Sequence, residues 1–368
     1  MLLILKTDKI VPTWLSNIDM TAMNGYFTFT MRSKGKLKEA LWWRVSDNAI
    51  MCHLCPRRCR ILNQRYGFCN VRQNIDNRLY TIAYAHPVAV HVDPIEKKPL
   101  YHFYPGSQIL SIGTIGCNLS CEFCQNWDIS RAKPENIGRT EYSPEDIVKN
   151  AIQTESVGIA FTYNEPTIFG EYVLDIARLA HDAGIKTVMV SNGYITEEAA
   201  TDIYDRIDAA NIDLKAFSQS FYRHYCDGNL QAVLEAIIAI KTMGTFIELT
   251  TLVIPGLNDS DEELTRMSQW IYKNLGEDTP LHFSAFHPSY KLIHLNRTPK
   301  TLLDRARKIA RGCGLRYVYE GNVMSYKENN TYCYNCGKLL IERQGFSITV
   351  NNLHTDRCSC GAKIAVVQ

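Results

Sequence analysis

A chain of 368 residues with 46% hydrophobic and 21% charged residues has the balance of a globular protein, long enough for one large domain with appendages or for two or three ordinary ones. A formal net charge of +2 supplies no strong field for nucleic acid or for an acidic membrane surface. The apolar start "MLLIL" gives way at once to Lys6, Asp8 and Lys9, and Glu235 interrupts the best later apolar run, "AVLEAIIAI". Neither serves as a signal sequence or a membrane span, and the expectation is a cytoplasmic protein.

Residues 1 to about 36 lack a sustained period and end in "RSKGK", which reads as a loosely held extension. A four-cysteine domain is expected over 37–105. It opens on "KLKEALWWRV", which predicts one short helix, and then carries Cys52, Cys55, Cys59 and Cys69. Four thiolates at this density suit structural zinc, the favoured choice, or an auxiliary iron–sulfur cluster. "RLYTIAYAHPVAVHV" alternates as strands do. "PIEKKPL", with Glu96, Lys97 and Lys98, reads as a solvated turn between prolines or, so near the first barrel strand, as a lining of the substrate entrance, and takes no assigned role.

From 106 to 327 the rhythm changes. Seven short apolar runs, from "ILSIG" to "RYVYEG", alternate with six helical patterns, from "SPEDIVKNAIQ" to "TPKTLLDRARKIARGCG". Ser143 with Pro144, and Ser260 with Glu263, mark helix starts, while Gly184, Gly244 and Gly314 mark helix ends. Strand–helix alternation predicts βαβ units around a parallel sheet, an α/β fold in the form of a partial or full (β/α) barrel of about six units. In such folds ligands sit at the C-terminal ends of the strands. The unusual polar motifs fall at those ends: "CNLSCEFC", "TYNEPT", "SNGY", "DLKAF", "IPGLND" and "FHPSYK".

The first of these motifs places Cys117, Cys121 and Cys124 on one turn. A [4Fe–4S] cube has four irons to ligate, so three cysteines leave one iron open to a substrate or cofactor. The CxxxCxxC spacing resembles the signature of the radical S-adenosylmethionine (SAM) superfamily. The resemblance implies that SAM fills the open iron. It implies reductive cleavage to a 5′-deoxyadenosyl radical that abstracts hydrogen from a substrate, with a one-electron donor of flavodoxin or ferredoxin type. It also implies SAM contacts: Phe123 along the adenine, Asn164 and Glu165 in place of the superfamily's "GGE", Ser191 and Asn192 at the ribose, Asp213 and Lys215 toward the carboxylate, and His287. Tyr163 and Asn164 stand where the superfamily has two glycines. "DLK", "SNGY" and "IPGLND" resemble the pyruvate formate-lyase activating enzyme group. The longer string from "CHLCPRRCRI" through "PIEKKPLYHFYPGS" to "FHPSYKL" is similar to the AmmeMemoRadiSam-system radical SAM proteins.

Beyond 328, CxxC, a hairpin and CxC bring Cys333, Cys336, Cys358 and Cys360 into a zinc-ribbon-like module, with His354 a spare, exposed candidate. Cys313 reads as packing. Cys226, after the fourth strand, is a candidate at the barrel mouth, where it would relay a radical or bond a substrate. Three functions compete: a radical SAM enzyme acting on a small molecule or RNA, an activating enzyme that places a glycyl radical on a partner protein, and a non-catalytic metal-stabilised scaffold.

Overall fold

The structure, a computed structural model, describes the backbone of residues 20–23 and 26–29 and all of 37–137, 140–323 and 327–368. Two compact units divide at Leu37 and Lys38. The first contains an antiparallel hairpin, Met20–Met23 against Tyr26–Phe29, and the rest of the expected extension lies outside the described residues. No helix among the described residues is long and apolar enough to cross a membrane.

The second unit is built on one eight-stranded sheet. Its first strand, β1 (Ala89–Pro94), runs antiparallel to β2 (Gln108–Gly113). Six strands then follow in parallel and in sequence order: β3 (Gly158–Phe161), β4 (Lys186–Ser191), β5 (Ala209–Asp213), β6 (Phe246–Val253), β7 (Leu281–Ala285) and β8 (Val318–Gly321). The expected apolar runs are these strands. β1 and β8 are the two edges, so the barrel is partial. The parallel strands β2 to β8 are buried along most of their length, as a parallel sheet covered by helices requires.

Six helices link and cover them: α1 (Pro144–Gln153), α2 (Gly170–Asp182), α3 (Glu197–Tyr204), α4 (Leu230–Thr242), α5 (Asp261–Leu275) and α6 (Lys300–Gly312). Ser143 caps α1 in a reciprocal box with Asp146. At α5 the box is only half formed. Ser260 Oγ accepts from Glu263 N at 3.2 Å, but the Glu263 carboxylate accepts instead from Phe217 N at 2.7 Å. Gly184, Gly244 and Gly314 follow their helices with left-handed backbone, φ +73°, +93° and +102°.

Two expectations fail. "KLKEALWWRV" is not helical: Lys38–Glu39 and Trp43–Ser46 are strands of two small antiparallel sheets. Tertiary pairing overrides helix propensity, because Trp43 pairs with Cys52 and Lys38 with Thr81, and Trp42 turns outward from that ladder (φ +54°) to donate to Asp202 at 2.7 Å. Nor is "PIEKKPL" a solvated turn, since Glu96 and Lys98 are buried. The segment plugs the N-terminal end of the barrel. Ile95, Leu100 and Phe103 pack on Ile109, Ala160, Val188 and Ala209, and Asp93 pairs with Lys98 at 2.7 Å.

The C-terminal module is the three-stranded antiparallel sheet Thr331–Tyr332, Leu339–Gln344 and Ser347–Asn351. It docks on the plugged end. Buried Arg343 donates to the Tyr101 carbonyl at 2.7 Å and lies 3.7 Å from Glu96, and Val367 bridges to Phe103.

Candidate functional site

Immediately after β2 the chain enters the three-cysteine turn. Gly116 has φ +91°, and a Cβ there would land on the Cys69 carbonyl oxygen, so this position requires glycine for both conformation and space. Asn164 fixes the entry. Its Oδ1 accepts from Thr114 N at 3.1 Å, and its Nδ2 donates to the Gly116 carbonyl at 2.9 Å. Later loops brace the turn: Ser120 N donates to the Cys226 carbonyl (3.0 Å), Glu122 N to the Tyr225 carbonyl (2.9 Å), and Lys291 N to the Glu122 carbonyl (3.0 Å). All three thiols are partly buried.

Two groups of side chains converge on this turn. In the first, buried Glu165 accepts from Thr167 N (2.9 Å) and Ser191 Oγ (2.8 Å) on Oε1, and from Asn192 N (2.8 Å) on Oε2. Asn192 Nδ2 reaches Asn118 Oδ1 at 2.9 Å and the Cys117 sulfur at 3.8 Å. Burial raises the Glu165 carboxyl against these donors. Burial, and then the neighbouring Glu165, holds the Cys117 thiol well above its ordinary range. In the second group, Lys215 Nζ pairs with Asp213 Oδ2 at 2.8 Å and lies 5.9 Å from the Phe123 ring. A hydrogen bond with Cys226 pulls the Cys121 thiol down, aided by the charge of Lys215. Burial works against the charge of Lys215, but Asp213 and the Cys121 sulfur outweigh it and raise its pKa. Phe123 is buried with its ring 5.7 Å from Phe221. His287 stands apart from both groups, with Nε2 3.3 Å from the Asn322 carbonyl.

The backbone at the glycine-free "YNE" is left-handed: Tyr163 has φ +71°, the conformation a glycine would adopt most easily. Its hydroxyl donates to Asp93 at 2.7 Å, which ties the strand end to β1. Sequence reasoning missed Tyr163 in this role, and also missed Asn118 and Arg57. Arg57 donates to the carbonyls of Asn118 and Asp227, and its salt bridge to Asp227 spans 3.2 Å. The four-cysteine loop is thereby locked onto the three-cysteine turn. Only proximity in space connects them, and nothing local marks either residue.

The cysteine sets differ in spread. Cys333 Sγ lies 3.6 Å from Cys360 Sγ, and Cys336 Sγ 3.7 Å from Cys358 Sγ. Among the described residues, these four are the one group of three or more Cys, His, Asp or Glu whose ligand atoms all lie within 4.8 Å of one another. They could hold a metal ion. Cys117, Cys121 and Cys124 are more widely spread, which fits a cube that interposes iron and sulfide between thiolates rather than a single ion. His354 is exposed, Cys313 Sγ lies 3.9 Å from the Thr265 carbonyl, and Cys226 is buried in the turn Tyr222–Cys226 beside Cys121.

The Radical SAM superfamily model matches residues 111–267, which span the three-cysteine turn, Glu165, the Ser191–Asn192 pair and the Asp213–Lys215 pair. The chain is similar to the uncharacterized protein MJ0808 of Methanocaldococcus jannaschii, with 43% identity over 335 residues that cover 90% of this chain and 100% of that one. It is also similar to the pyruvate formate-lyase-activating enzyme of Clostridium pasteurianum, at 22% identity over 51% of this chain and 78% of that one. Streptococcus suis SuiB bound to its precursor peptide SuiA superposes with a TM-score of 0.48 and 14% identity over 62% of this chain and 51% of that one, a likeness that carries no argument at that score. With three cysteines spread for a cube at the C-terminal end of the first parallel strand, and with the family match over them, the chain belongs to the radical SAM superfamily of enzymes.

Proposed function

We propose that the protein generates a 5′-deoxyadenosyl radical at the barrel mouth and abstracts hydrogen from a small molecule or RNA. The observation that carries this reading is the hydrogen-bonded path from Glu165 through Asn192 to Cys117, with the Lys215–Asp213 pair beside Cys121. A [4Fe–4S] cluster on Cys117, Cys121 and Cys124, with SAM at its open iron, supplies reductive cleavage of the sulfonium.

The chain's own residues do the holding. Glu165, fixed by three donors, accepts from the ammonium of SAM. Ser191 and Asn192 line the ribose side, Phe123 covers the adenine, and Lys215 neutralises the carboxylate while Asp213 aims it. His287 lies at the outer rim. Asn164 acts as a positioning residue, because both ends of its amide are engaged by Thr114 and Gly116. Burial at the turn keeps water from the radical. Cys226 sits next to Cys121 on the side of the mouth that faces Lys215.

The same reading assigns 1–36 to an extension, 37–105 to a four-cysteine domain, 106–327 to the barrel and 328–368 to a ribbon. Zinc suits the ribbon. With Zn–S near 2.3 Å, a tetrahedral site places its sulfurs about 3.8 Å apart, and the ribbon sulfurs pair at 3.6 and 3.7 Å.

The test is anaerobic reconstitution with iron and sulfide, then SAM and dithionite. 5′-Deoxyadenosine is the expected product, and its absence from protein carrying a full iron complement sinks the proposal. Deuterium recovered in 5′-deoxyadenosine from a labelled small molecule or RNA would identify the substrate class. Deuterium from a glycine-labelled partner protein would point to glycyl-radical activation instead.

A further inference from the structure

The second cysteine set, Cys52, Cys55, Cys59 and Cys69, surrounds one cavity with Arg72 on its wall. Three of the four cysteines are buried. No three of their sulfurs lie within 4.8 Å of one another, whereas all four sulfurs of the C-terminal set do. A tetrahedral zinc site holds all its sulfurs within about 4 Å, so the set is too wide for one zinc ion.

Arg72 is the independent observation. It is 1% exposed, and its Nε and Nη1 find no hydrogen-bond partner, although Nη2 reaches Glu171 at 3.0 Å. Buried donors left unpaired cost about 1–3 kcal/mol each, more when charged. On the wall of a cavity ringed by four cysteines they call for anionic acceptors, and the sulfides and thiolates of a cluster are such acceptors. Leu54, Ile61, Phe68 and Ile168 supply most of the apolar remainder of the lining.

We infer that Cys52, Cys55, Cys59 and Cys69 ligate a [4Fe–4S] cluster, fully cysteinyl and without an open iron, with Arg72 donating to its sulfur atoms. The position is specific. The Cys69 carbonyl abuts Gly116, one residue before Cys117, and Arg57 of the CxxC loop donates to Asn118, one residue after it. The residues that would hold the second cluster are therefore in direct contact with the three-cysteine turn through backbone.

The experiment counts metals on the full chain, reconstituted anaerobically with ferrous iron, sulfide and zinc. The wild type is expected to carry about eight irons and one zinc. The triple variant Cys117→Ala/Cys121→Ala/Cys124→Ala is expected to keep about four irons, and dithionite should reduce them to an EPR-active cluster. A triple variant with no iron and about two zincs overturns the inference. Should that variant not fold, Cys55→Ser/Cys59→Ser in the otherwise intact chain is expected to lose about half the iron while retaining its one zinc, and an unchanged iron count overturns the inference equally. Failure of 5′-deoxyadenosine formation by wild-type protein that carries about eight irons would sink the radical proposal alone.

Discussion

The two ends of the barrel are both rich in buried polar side chains, and they use them in opposite ways. At the plugged N-terminal end most of the groups satisfy one another, although Glu96 Oε2 and Arg343 Nε find no hydrogen-bond partner. Glu248 accepts from Tyr101 N (2.9 Å), His102 N (2.7 Å) and His282 Nε2 (2.6 Å), and His102 Nε2 lies 2.6 Å from the Tyr319 hydroxyl. At the C-terminal mouth the hydrogen bonds hold groups in place while three sulfurs and the Lys215–Asp213 pair face one another around the turn. A largely closed network stabilises a fold, and a turn that leaves three sulfurs without ligands binds something. The lesson is that burial of charge does not by itself mark an active site in this protein. What matters is whether the chain completes the coordination.

That contrast is open to attack. The largest effect expected is on activity: Cys121→Ala should abolish 5′-deoxyadenosine formation and remove about four irons while shifting the urea midpoint little. A variant that unfolds as readily as one altered at the plugged end would erase the distinction. Next in size, Glu248→Gln should cost about 3–5 kcal/mol in denaturant unfolding, because it leaves His282 and two backbone donors poorly matched at a fully buried site. The protein that remains folded should still make 5′-deoxyadenosine at the wild-type rate per cluster. Loss of that rate would join the two ends functionally.

A pH titration, compared with the His102→Gln variant, probes the plug through His102. Burial pushes His102 down to about 4 from 6.5. The unfolded chain therefore binds this proton first, so the stability is complete above about pH 6.5 and declines as pH falls toward 4, by up to about 3 kcal/mol. Glu248 is held below its ordinary value, with burial opposing and His282 outweighing it, so its share is present above about 4.5 and lost only at lower pH. Urea midpoints at pH 7.5, 6 and 5 should fall in order, and the fall should shrink in His102→Gln; an equal fall in both would remove His102 from the account. The smallest effect is expected of Tyr163→Phe, about 1 kcal/mol for one lost hydrogen bond to Asp93. A loss several times larger, or a matching loss of SAM affinity by equilibrium dialysis, would show that β1 and the mouth are mechanically coupled.

Much of this was legible in one dimension. Period and caps locate the seven parallel strands and six helices, because a strand between helices is apolar throughout and a helix start demands a side-chain acceptor. The cysteine triad is legible because its three ligands lie within one turn of chain. "KLKEALWWRV" misled for the converse reason. Its helical propensity is local, and its partners, Cys52, Thr81 and Asp202, are 9 to 160 residues away.

The sequence by itself determined which cofactor chemistry the chain can support, since ligand identity and spacing are covalent facts. Only the tertiary structure decided how far apart the thiolates stand, that Arg72 faces one set of them with donors unpaired, and that the two N-terminal sets meet at Gly116 and Arg57. Spread, desolvation and contact are properties of the packed chain. They arise from segments brought together by burial, and no spacing along the chain encodes them.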